Sequence, residues 1–135
     1  LYRLQAYYWE VIRRSLRQPV DPALFSELLS QFHMVYHEAA QYTDHQAPEE
    51  AEYHRKRLVI LWNMFSELEQ TEGLIQSGAV TPEEQTALDS VAAALGARIC
   101  PLTDLNGVPV ETLPQGELCY VVRRYMENAQ TLANA

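Results

Sequence analysis

At 135 residues, with 47% hydrophobic and 21% charged side chains, the chain has the size and composition of one ordinary globular domain, long enough to bury a core and too apolar to stay unfolded. Ten Lys and Arg against eighteen Asp and Glu leave a net charge of −8. Residues 1–17 hold Arg3, Arg13, Arg14 and Arg17 against Glu10, a net of +3, so the remainder carries −11. An acidic body with one basic end lacks the cationic face that a phosphate backbone requires, which argues against a nucleic-acid partner.

Other classes fall away on composition. Cys100 and Cys119 form no CxxC pair and are too few for a disulfide framework or a zinc ligand set, so both read as reduced core thiols and the expected location is cytoplasmic. No run approaches the roughly 18 apolar residues needed to cross a bilayer, and no signal-peptide pattern opens the chain. The first residue, Leu1, already stands in a helical pattern, and the expectation is an excerpt of a longer chain.

In chain order, Leu1, Leu4, Tyr8, Val11 and Ile12 make the stripe of a first helix, which Pro19 ends. Asp21 before Pro22 is an N-cap followed by proline at the first helical position, where its missing N–H is harmless. The second helix puts Phe25, Leu28, Leu29, Phe32, Val35, Tyr36 and Ala39 on one face and runs to about Thr43. Pro48 with Glu49 and Glu50 opens a third helix, carboxylates lying where the helix dipole is positive. Its run Leu58-Val59-Ile60-Leu61-Trp62 is apolar all round and predicts a central helix covered on several sides, continuing to Ser77 before Gly78. Thr81-Pro82-Glu83-Glu84 is the clearest start signal; that helix buries Leu88, Val91 and Leu95, and Gly96 reads as its closing C′ residue. Residues 97–116, with three prolines and two glycines, read as a non-helical connection in which Asn106-Gly107 could turn a small hairpin. A last helix from about Gly116 aligns Leu118, Val122, Tyr125, Ala129 and Leu132. The sum is one all-α domain over residues 1–135, an irregular bundle of about five helices.

Catalytic signatures are missing: there is no GxSxG elbow, no Cys/His pair with a local signature and no glycine-rich phosphate loop. The acidic clusters, Glu67/Glu69/Glu72 among them, read as solvated helix faces. The four histidines, however, all fall between residues 33 and 54. His33 and His37 share one side of the second helix at i,i+4, as do Glu50 and His54 on the third. A turn near residues 45–46 would fold the two helices together with His37 level with His54. His33, His37, His54 and Glu50 are therefore the candidate ligands for zinc or another transition metal, in a helical enzyme or sensor. At the N-terminus, Tyr7, Tyr8 and Trp9 followed by arginines resemble in composition the juxtamembrane segment of a cytoplasmic domain anchored upstream of Leu1; core aromatics on an arginine-bearing helix account for the same letters.

The preferred reading is a non-catalytic helical interaction or regulatory domain that needs no cofactor and docks a protein partner through an apolar face or through the 97–116 segment, where Leu102, Leu105, Val108, Val110 and Leu113 are the candidate contacts. The metal-binding and membrane-attached readings are its rivals.

Overall fold

Three helices begin at their prolines. The computed structural model describes residues 1–134 and contains α1 (Tyr2–Arg17), α2 (Pro22–Asp44), α3 (Pro48–Gln76), α4 (Pro82–Ile99) and α5 (Glu117–Ala133), with one 3-10 turn at Val110–Thr112 and no strand among the described residues. The Asp21 carboxylate accepts the Ala23 N–H at 3.0 Å. Ahead of α4 the capping is reciprocal: the Glu84 N–H donates to the Thr81 hydroxyl at 3.1 Å and the Thr81 N–H donates to the Glu84 carboxylate at 3.0 Å. Gly78, at φ +75°, closes α3, with the Ala79 N–H on the Leu74 carbonyl and the Gly78 N–H on that of Ile75.

The helices assemble as an all-α bundle in which α1 and α4, α3 and α5, and α2 and α3 pair antiparallel, while α1 and α3 run parallel. α1 lies against α4, where Arg13 Nε donates to Asp89 Oδ1 at 3.3 Å. α3 lies against α5, where Arg57 Nη1 donates to the Leu132 carbonyl at 3.2 Å. α2 folds back on α3 and meets α1 where Phe25 packs on Tyr8. Tyr8, Trp9, Val11 and Ile12 are all sealed from solvent on the inner face of α1. The aromatics of the N-terminal segment are therefore core; of Tyr7, Tyr8 and Trp9 only Tyr7 reaches solvent, with the Arg14 guanidinium over its ring. No described helix is long and apolar enough to cross a membrane.

Three expectations need correction. α3 is covered on several sides, by α5, α2 and α1, but its apolar run is not enclosed throughout: Leu58 and Leu61 are buried, whereas Val59 is 58% and Trp62 44% exposed. α4 does not stop at Gly96. It runs to the fully buried Ile99, and Gly96 faces α1, with Trp9 Cβ and the Ala6 carbonyl 3.7 and 3.8 Å from where its own Cβ would stand. That glycine therefore lies inside the α1–α4 contact, at ordinary van der Waals distance from α1, rather than at a helix end. No hairpin forms around Asn106-Gly107: the Val108 N–H closes a turn onto Leu105, but neither central residue has positive φ, as the turns of two-residue hairpins require.

Candidate functional site

The histidine cluster does not assemble. In the α2–α3 pair Phe32 stacks on Phe65 at 3.8 Å between centroids, Tyr36 packs edge-on against Trp62 at 5.1 Å, and Asp44 pairs with Arg55 at 2.9 Å. That register sets His37 level with about residue 61 and His54 level with about residue 44, roughly 10 Å apart along the pair at about 1.5 Å per residue. Counting outward from the loop misplaces them because the two helices are offset along their axes, Asp44 at the end of α2 meeting Arg55 about two turns into α3, and because helix side chains lean toward their own N-terminus, which adds about one position on each helix. On α2 they lean away from the loop and on α3 toward it, so those that meet are further along α3 than the backbone count implies. His33 stands beside Trp62, 5.3 Å between rings. His37 is exposed and reaches only Gln41, His54 lies against Tyr53, and Glu50 is solvated in the first turn of α3. Among the described residues no three His, Cys, Asp or Glu come together as a metal-binding group.

The 97–116 segment is also largely withdrawn from solvent. Leu105, Val108 and Leu113 are buried in the main core, and Leu102 and Val110 are half-buried against it. The 3-10 turn bridges α4 and α5. The Arg98 guanidinium lies across Gly107, 2.6 Å from where a Cβ would stand, which keeps the turn pressed to α4. The segment lost its helix to proline and glycine but kept its apolar residues for the core, so three of the five candidate contacts face inward.

One carboxylate proves to be internal. Glu67 is 2% exposed, between α3 and α5, where Asn128 Nδ2 donates to both its oxygens at 2.9 and 3.1 Å and Arg124 Nε stands 3.6 Å away. Burial pushes its pKa up, partly opposed by the Asn128 hydrogen bond and the arginine. Nearby, the Tyr125 hydroxyl donates to Gln5 Oε1 at 2.6 Å, and burial pushes that phenol up as well. The solvated-face reading fails for Glu67 because α5 covers that side of α3; the signal available in the sequence was Arg124 and Asn128, an i,i+4 pair able to meet a carboxylate. The arrangement ties α3 to α5. It has no nucleophile and no access for a substrate.

What remains open is the outer face of the α2–α3 pair. Leu29, Phe32 and His33 from α2 and Trp62, Phe65, Ser66 and Glu69 from α3 line a cleft of about 80 Å³. Trp62 forms its wall, held by rings on three sides: Phe32, His33 and Tyr36. Val59 extends the apolar strip one turn toward the loop. Beside the buried stripe Leu58-Leu61-Phe65-Leu68, α3 carries a second one, Val59-Trp62-Ser66-Glu69, on which Val59 and Trp62 stay exposed. A wider cleft of about 570 Å³ at the α1–α2 corner has Arg17 as its one charged residue, and Ser15 there is bonded to the Ile12 carbonyl. Neither cleft brings a nucleophile together with a base. Compared with known proteins, the chain matches no family model, no curated protein and no solved structure.

Proposed function

We propose that this is a non-catalytic helical interaction domain that docks a protein partner on the α2–α3 face around Trp62. The observation that carries the reading is the pairing of exposure with rigidity: Trp62 leaves 44% of its surface in water while Phe32, Tyr36 and His33 hold its ring in place. Tryptophan is strongly enriched among residues that dominate binding energy, and a side chain already fixed in its bound geometry loses little entropy on association. The two free cysteines favour a reducing, cytoplasmic setting for such a domain. The test compares Trp62→Ala with Tyr120→Ala, an equally conservative truncation of an exposed aromatic on α5. Partner capture by the full-length protein from its native cells should disappear in the first and persist in the second, with both variants folded by circular dichroism. Equal capture by the two would refute the reading.

A further inference from the structure

We propose that the segment docking on this face is a basic amphipathic helix, its apolar residues over Trp62 and Val59 and a lysine or arginine directed to Glu69 and Glu72. The inference rests on the docking reading above and adds the partner's chemistry. The shape argument is that two antiparallel helices leave a shallow apolar groove of the kind that receives a helix through anchors at i, i+3 or i+4 and i+7. The charge argument is stronger. From Gln18 to His54 the chain carries seven carboxylates and no lysine or arginine. At the loop end of the groove the cations are already matched, Arg55 by Asp44 at 2.9 Å and Lys56 by Glu52 at 3.5 Å. At the other end Glu69 lines the cleft and Glu72 follows one turn later, and neither has an ion pair among the described residues. Burial and the charge of Glu69 push the Glu72 pKa up, the condition of a carboxylate that an incoming cation would relieve. The charge left unpaired on α3 beside the groove is thus negative at the Glu69–Glu72 end, which orients the helix as well as selecting it.

A second copy of the chain does not meet the requirement. Its basic segment, residues 1–17, has Tyr8, Trp9, Val11 and Ile12 buried in its own core and Arg13 and Arg17 paired with Asp89. Anionic membranes and nucleic acids are repelled by the same carboxylates.

The probe is a displayed library of 18-residue helices whose polar face is randomised among Lys, Arg, Glu, Ser and Gln and whose apolar face is randomised among Leu, Ile, Met, Phe and Ala. Selection against the intact chain should enrich Lys and Arg. Synthetic versions of the winners should shift the emission of Trp62, the other tryptophan, Trp9, being fully buried. Their affinity should fall about two- to fivefold for each of Glu69→Gln and Glu72→Gln, the effect of removing one exposed charge pair, and should weaken with added salt. Trp62→Ala and Val59→Ser should each reduce it further. Winners that need Trp62 but carry no excess of Lys and Arg and ignore Glu69→Gln and Glu72→Gln would overturn the basic-helix inference and leave the docking face standing. Winners insensitive to both Trp62→Ala and Val59→Ser, or no winners at all, would overturn both.

Discussion

Phe65→Ala removes the ring on which the α2–α3 pair is built. Phe65 is 1% exposed, lies parallel to Phe32 at 3.8 Å and 15°, and meets Tyr8 edge-on at 6.1 Å, so one side chain joins three helices. Truncating a fully buried phenylalanine costs about 3–5 kcal/mol through lost transfer energy and the cavity left behind, and the aromatic pairing accounts for about 0.5–1.5 kcal/mol of such interactions. With an unfolding entropy of about 2.1 cal/mol/K per residue, a chain of this length loses about 3–4 °C of Tm per kcal/mol, so the variant should melt roughly 10–18 °C lower. Urea and thermal unfolding followed by circular dichroism measure both quantities. A loss below about 1 kcal/mol would mean that Phe65 is not in the core and that the α2–α3 register above is wrong.

Gly73 within α3 and Gly78 just past its end should respond in opposite directions. Gly73 is helical, exposed and has no atom within 4 Å of a would-be Cβ, so Gly73→Ala should stabilise by about 0.5–1 kcal/mol, whereas Gly78→Ala, at φ +75°, should destabilise by about 1–2 kcal/mol; urea midpoints decide. Leu105→Ala should cost about 2–5 kcal/mol, because that leucine is 2% exposed; a loss near zero would return residues 97–116 to the docking surface. Glu67→Gln keeps an oxygen for Asn128 and removes a buried charge. Since the folded pKa of Glu67 is raised, the folded state holds the extra proton and stability falls as pH rises from about 4.3 through the folded value. The variant should flatten that fall, leaving the part due to Glu72, and urea titrations across the window would contradict this if its pH profile stayed unchanged.

Local backbone chemistry was the legible part of the sequence. Asp21-Pro22, Pro48-Glu49-Glu50 and Thr81-Pro82-Glu83-Glu84 place helix starts at Pro22, Pro48 and Pro82, where the structure has them, because an N-cap and a proline act within one turn. Gly96, Glu67 and Trp62 were misjudged for a shared reason. Each was judged within its own helix, and each is decided by a neighbour: α1 packing over Gly96, α5 arriving to enclose a carboxylate, and no helix arriving over a tryptophan. The histidine alignment failed on the axial offset between α2 and α3, seen where Asp44 meets Arg55, with side-chain direction adding about one position on each helix.

The central claim, that the α2–α3 face is where a partner sits, is most directly tested by placing a photo-crosslinking residue at Ser66, Val59, Tyr120 or Glu111 in turn in the full-length protein and irradiating the native cells. Adducts of one discrete mass at positions 66 and 59, absent at 120 and 111 and lost on Trp62→Ala, are the predicted result. Adducts concentrated at 120 or 111, or unaffected by Trp62→Ala, would contradict it.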